Sequence, residues 1–230
     1  MKIIGFEIKH CNAGWRDFSF LKINTDENIS GISEYNECYG SPGLSIIISR
    51  FMSKIINQDP ISHEKIHQYL YASSRQAPGG IAQQAIAAIE NALLDIKGKY
   101  LKVPVHTLLG GAIRDKLPLY WSHCGTYRIS EELSNIMQKP QVRSLADLKQ
   151  LGKDVKDAGY KGLKTNIFTF GETPVLEMQG FAGKSGWPEL NVDSNIIDGL
   201  RKQIDALRSG VGDNMNIHLD LNFNFKMISR

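Results

Sequence analysis

Hydrophobic and polar positions alternate along the first forty residues in the manner of strands. The runs "KIIGFEIK" and "FSFLKIN" are rich in β formers, "TDEN" has turn composition, and "ISGISEY" follows. Together they predict a small antiparallel meander. The period then lengthens. Leu44, Ile47, Ile48, Phe51, Met52 and Ile55 recur at three- and four-residue intervals, which predicts a helix. A second helix is expected over "SHEKIHQYLYASS" with Ser62 as its N-cap. After the break at "PGG", residues 78–80, Ala82, Ala85, Ile86, Ile89, Leu93 and Ile96 form one stripe of an alanine-rich helix, with Gly98 as its expected stop.

Beyond "VPVHTLLGGAIRDKLP" the pattern alternates between strand and helix. A short strand is predicted in "LPLYWSHC", a helix from Ser144 to Ala158 with Ser144 and Asp147 at capping-box spacing, and a strand in "GLKTNIF". A further helix follows Asp193 or Ser194 and stops at Gly210, and "NIHLDLNF" is the third strand. Such βα alternation implies a parallel sheet. The expected organisation is an α+β domain over residues 1–114 and βα units over residues 115–230.

Two of these strands carry polar pairs in apolar surroundings. Side chains alternate along a strand, so Lys164 and Asn166 share one face and Leu163, Thr165 and Ile167 the other. Asp220 and Asn222 likewise lie opposite Leu219 and Leu221. If helices cover the outside of a parallel barrel, both pairs point inward near the strands' C-terminal ends, where barrel enzymes keep their chemistry. Lys164 has two readings: a snorkelling lysine at a strand end, or a base whose pKa is lowered by burial and a nearby cation. Asp220 is either a helix cap or a ligand for a hard cation.

Composition narrows the field further. With 42% hydrophobic and 22% charged residues and a formal charge of +3, the chain has ordinary globular composition. No basic run is interleaved with aromatics, so nucleic acid is not an expected partner. Cys11, Cys38 and Cys124 are far apart, with no CxxC pair for zinc and no disulfide framework. The N-terminus lacks the features of a signal peptide, and no apolar stretch approaches the ~20 residues that span a bilayer. A cytoplasmic protein with no membrane partner is expected. His63 and His67 are four residues apart, and a solvated helix face is the reading given to them.

The run "LLGGAIRDKLPLY", with the preceding "AIAAIENALLDIKGKYLKVPV", resembles the junction between capping domain and TIM-like barrel in the enolase superfamily. The nearest branch is that of mandelate racemase and muconate lactonizing enzyme. "LKINTDENISGISEYNE" resembles that branch's cap meander, "GLKTNIF" its second barrel strand with a Lys-x-Lys motif, and "HLDLNFNF" its third. The resemblance implies proton abstraction alpha to a carboxylate, assisted by Mg2+. It places Lys164 and Asn166 at the catalytic positions, Asp220 as a magnesium ligand, and Asn222 and His123 toward substrate. Trp15 and Arg16, in the loop after the first strand, and Tyr39, in "ECYGSPG", would face substrate from the cap; the other readings are a surface or packing role for Trp15 and Arg16, a plain turn for the Tyr39 segment, and a hydrogen-bonded structural histidine for His123.

Dehydration of a sugar acid, a small-molecule carboxylate, is the implied reaction; racemisation or epimerisation is the alternative. Asn166 stands where the motif has its second lysine and cannot serve as a proton-transfer base. A full barrel takes roughly 250 residues, whereas this chain stops at Arg230. The later metal carboxylates and acid–base residues have no counterpart in it. An incomplete gene or cloned fragment is therefore expected, inactive alone, whose open strand edges and apolar helix faces favour a homo-oligomer or marginal stability.

Overall fold

The computed structural model describes residues 1–171, 174–176 and 193–222. The chain divides into two compact units, Met1–Asp115 and Lys116–Arg230. In the first, β1 (Ile3–Asn12), β2 (Asp17–Thr25) and β3 (Ser30–Tyr35) form an antiparallel meander in that order. The predicted alternation is visible in its burial. Ser19, Leu21, Ile23 and Thr25 of β2, and Gly31, Ser33 and Tyr35 of β3, are buried, and the residues between them are more exposed.

Helices α1 (Leu44–Ile55), α2 (His63–Ser73), α3 (Gly80–Leu101) and the short α4 (Val105–Leu108) complete this unit. Leu21 and Ile23 from the sheet, Ile48 and Met52 from α1, and Ile86, Ile89 and Leu93 from α3 share one apolar core. Ser33 Oγ donates to the carbonyl of Ala88 at 2.6 Å, so β3 and α3 are joined by a polar contact as well. The stop expected at Gly98 is not observed. The helix runs to Leu101 and ends on Lys102 in the left-handed region (φ 57°). Gly98 instead makes room for the returning chain: a Cβ there would lie 3.0 Å from the carbonyl oxygen of Val103.

The second unit follows a different plan. After β4 (Tyr120–Trp121) come a 3-10 turn (Tyr127–Ile129), α5 (Glu131–Ile136), α6 (Leu145–Asp157), β5 (Gly162–Thr165), β6 (Phe168–Phe170), β7 (Pro174–Leu176), α7 (Ser194–Val211) and β8 (Asn216–Leu219). Strands β4, β5 and β8 are parallel and adjacent in that order, while β6 and β7 pair antiparallel. Leu163 of β5 is buried with Leu148, Leu151 and Val155 of α6 and Leu207 and Val211 of α7. The opposite face of β5 is left to Lys164.

Caps delimit the two long helices of this unit. Ser144 Oγ accepts from Asp147 N at 3.2 Å, and Asp193 Oδ1 accepts from Ile196 N at 2.9 Å. The stop expected at Gly210 falls at Gly212 instead. Gly210 lies where α7 crosses α6, and an added Cβ would stand 2.1 Å from the carbonyl oxygen of Lys149. The first predicted strand shrinks to Tyr120–Trp121, and α5, the 3-10 turn and the β6–β7 pair were not expected. Among the described residues no helix is long and apolar enough to cross a membrane.

Candidate active site

Parallel pairing brings the C-terminal ends of β4, β5 and β8 together, and main-chain bonds fasten the segments that leave them. Cys124 N donates to Lys164 O at 2.7 Å, and Asp220 N donates to Thr165 O at 2.8 Å. Thr165 Oγ1 turns back to the carbonyl of Cys124 at 2.8 Å. The side chains of Lys164 and Asp220 then meet: Nζ lies 3.1 Å from Oδ2, with both groups half-buried.

Asp220 Oδ1 accepts from Asn222 N at 3.1 Å, the local turn that aspartate makes with the backbone two residues on. Asn222 adopts φ 49°, a left-handed conformation that asparagine tolerates better than most residues. The hydrogen bond from Lys164 holds the Asp220 carboxyl below the ordinary carboxylate range. Burial works against this, while the Asn222 N–H and the nearby positive groups reinforce it. Asp220 is therefore an ionised oxygen donor at neutral pH. His123, just beyond β4, is also in the left-handed region (φ 51°), and its ring lies 5.7 Å from that of Tyr127.

Asn166 is 1% exposed, and both ends of its amide are committed. Oδ1 accepts from Thr126 Oγ1 at 2.6 Å, and Nδ2 donates to Asp220 O at 3.3 Å. It thus bridges the loop after β4 to the end of β8. Beneath it, the fully buried Gln203 of α7 donates to Asn166 O at 2.7 Å and accepts from Phe168 N at 3.0 Å. Sequence reasoning passed over Thr126 and Gln203. For Gln203 a signal existed, because it occupies the buried stripe of α7 with Ile196, Leu207 and Val211. A buried polar group in such a stripe must have hydrogen-bond partners.

The remaining expected residues lie together in the first unit. The Arg16 guanidinium sits 4.4 Å from the Phe18 ring centroid, 5.4 Å from that of Trp15 and 5.6 Å from that of Tyr39. These are cation–π distances. Tyr39 OH donates to the carbonyl of Trp15 at 3.2 Å. Arg16 Nη2 approaches Glu34 at 3.9 Å, and its buried Nε makes no hydrogen bond. The loop that carries Tyr39 is anchored by Glu37, whose carboxylate accepts from Gly43 N at 2.9 Å and from Ser45 Oγ. His63 and His67 are not on a solvated face. Their side chains are 13% and 23% exposed, and His67 bonds Glu90 of α3 at 2.9 Å.

Comparison with known proteins agrees with this architecture. Residues 7–110 match the N-terminal domain model of the mandelate racemase/muconate lactonizing enzyme family. D-galactonate dehydratase of Pectobacterium atrosepticum is 40% identical over 123 residues, 54% of this chain and 32% of that protein. The enzyme of the same name from Variovorax paradoxus is 42% identical over 101 residues, 44% of this chain and 26% of its own. A solved Burkholderia xenovorans protein, described as an L-alanine-DL-glutamate epimerase and bound to magnesium and fumarate, is 38% identical with a TM-score of 0.88. That likeness covers 96% of this chain and 54% of the other. The chain thus spans about half the length of this solved relative, and the matched part is about a third or less of the dehydratases. Residues 7–110, the meander-and-helix unit, thus carry the N-terminal domain of the mandelate racemase/muconate lactonizing enzyme family, and parallel βα units follow it.

Proposed function

We propose that this chain carries the capping domain and the first catalytic strands of a sugar-acid dehydratase that removes the proton alpha to a carboxylate. The observation that carries the reading is the Lys164–Asp220 pair, an ammonium and an ionised carboxylate 3.1 Å apart at the ends of adjacent parallel strands. Lys164 stands beside the carbon that loses its proton, and the end of β5 fixes its approach. Asp220 is a hard oxygen donor of the kind Mg2+ takes, and its low pKa keeps it ready to ligate. It would hold the ion as one of several ligands. The ion, when bound, supplies electrostatic stabilisation of charge on the substrate carboxylate. His123 and Asn222 flank Asp220 and are the substrate-binding groups of this unit. On the cap, Arg16, Trp15 and Tyr39 supply a cationic and aromatic surface suited to a hydroxy acid.

The likeness to an epimerase gives a second reading, and Asn166 weighs against it. Epimerisation needs proton transfer at both faces of one carbon, and the residue two beyond Lys164 is an amide with both ends engaged. A carboxamide neither takes up nor gives away a proton at neutral pH, so its role here is to position Asp220. We further infer a cytoplasmic homo-oligomer. The exposed thiols of Cys11 and Cys38 suit a reducing compartment, and the exposed Leu109, Ile113, Leu117 and Leu119 suit a subunit contact.

The test is to incubate the chain with D-galactonate and Mg2+ in D2O and follow the substrate by NMR. A keto product, lost in Lys164→Ala and in Asp220→Asn, supports dehydration. Deuterium incorporation with inverted stereochemistry and no keto product would instead support the epimerase. A chain that neither turns over galactonate nor binds Mg2+ would leave an inactive fragment.

A further inference from the structure

Away from the barrel strands, the cap gathers a second set of metal-binding groups. Residues 63–67 read His-Glu-Lys-Ile-His. On a helix this H-E-x-x-H spacing sets two imidazoles one turn apart on the same face, an arrangement that recurs in zinc sites. Here the helix is α2, and its histidine face is turned toward α3. His63, Glu64 and Glu90 each offer a ligand atom, and these atoms all lie within 4.8 Å of one another. Among the described residues no other group of three or more histidine, cysteine, aspartate or glutamate side chains is gathered so closely.

We propose that His63, Glu64 and Glu90 form a binding site for a zinc-like divalent transition-metal ion that fastens α2 to α3, with His67 orienting Glu90. Each part follows from a contact in the structure. His63 Nε2 faces Glu64 Oε1 at 3.7 Å, so that nitrogen and not Nδ1 points into the cluster. His67 Nδ1 donates to Glu90 Oε2 at 2.9 Å, which leaves the other carboxylate oxygen for an ion. A ligating carboxylate held from behind by a second group is the usual outer support of a metal site. Imidazole and carboxylate ligands bind zinc at about 2.0–2.2 Å. Neighbouring ligand atoms then stand about 3.5 Å apart, so closure needs shifts of about 1 Å, within the reach of side-chain rotation. Glu64 is 75% exposed, and water completes the coordination from that side.

One group opposes the ion. Lys97 Nζ lies 3.4 Å from His63 Nδ1. An ammonium donating to Nδ1 places the ring proton on Nε2, the nitrogen that must bind the metal. Metal binding moves the proton to Nδ1 and drives Lys97 out toward solvent. The site therefore carries its own competitor, which a generic surface histidine would not.

Zinc chloride is titrated calorimetrically into the chain at neutral pH, in an Asp220→Asn background that removes the barrel carboxylate. Cobalt(II) absorption is recorded alongside to report the ligand field. One ion is expected to bind, His63→Asn and Glu90→Gln each weakening it by at least about tenfold and His67→Phe by about tenfold. Lys97→Gln should tighten binding severalfold, a change that loss of folding cannot mimic. Circular dichroism establishes that each variant keeps its helix content. No zinc binding, or binding unchanged in both His63→Asn and Glu90→Gln, overturns the proposal. Binding lost only on alkylating Cys11 and Cys38 overturns it too, and Lys97→Gln without effect overturns the assignment of Nε2.

Discussion

Replacing Gln203 by leucine tests whether the end of β5 is held by a buried amide or by apolar packing. Leucine nearly matches glutamine in volume, so the change removes hydrogen bonds and leaves little cavity. Phe168 N loses its acceptor at 3.0 Å, and Asn166 O loses its donor at 2.7 Å while keeping a weak contact with Thr165 Oγ1 at 3.4 Å. A buried backbone group stripped of its partner costs about 1–3 kcal/mol. The N–H bears that in full and the carbonyl in part, and the added apolar burial returns about 1 kcal/mol. The net loss is about 2–3 kcal/mol, confined to the second unit. Hydrogen exchange reads it directly, since the Phe168 amide should exchange roughly 30- to 150-fold faster in Gln203→Leu. Gln203→Glu keeps the acceptor for Phe168 N but turns a carboxylate oxygen toward Asn166 O, so it should be the worse variant at neutral pH. An exchange rate within about threefold of the parent in Gln203→Leu would refute the reasoning.

Other perturbations probe other parts of the molecule. Gly210→Ala should destabilise the second unit by about 2–4 kcal/mol in urea despite the better helix propensity of alanine, because the new methyl collides with Lys149 O; equal stability would refute the close crossing. Asp220 has a depressed folded pKa, so its contribution is present above the ordinary carboxylate range and is lost as pH falls through the lower folded value. Lys164→Met should raise that carboxyl in a carbon-detected NMR titration, and an unmoved midpoint would show that the ion pair does not form. Burial pushes the Cys124 thiol up to about 12. Iodoacetamide at pH 8 should therefore modify Cys11 and Cys38 and spare Cys124 until the chain unfolds, and prompt labelling of all three would contradict its burial. Ile113→Asp should lower the sedimentation coefficient if the exposed 109–119 stretch is a subunit contact, and an unchanged value removes that surface from the assembly.

What could be read in advance was set by short-range periodicity. The polar faces of Lys164 and Asp220 were legible because a period of two carries each to the side opposite Leu163 and Leu219, whatever lies across the sheet. Asn166 lies just beyond β5, which ends at Thr165, so strand alternation does not reach it and its role was not legible. Thr126 and Gln203, which tie it down, lie 40 and 37 residues away in sequence. The cap cluster was legible only through family resemblance, since no local pattern predicts that Arg16 will stack on Phe18 and Tyr39. Gly98 and Gly210 were misread for a related reason. A glycine near a helix end suits a stop and a close crossing alike, and only the neighbouring chain decides between them. His63 and His67 looked solvated because their partner, Glu90, lies on another helix.

The fastening of the strand ends by main-chain bonds also bears on how such a protein diversifies. Cys124 N to Lys164 O and Asp220 N to Thr165 O use no side-chain atom of residue 164 or 220. The scaffold is thus largely indifferent to which side chains those two positions display. Inheritance can exchange the reactive groups there while the frame that aims them stays in place, so new chemistry can arise at these positions without a matching revision of the fold.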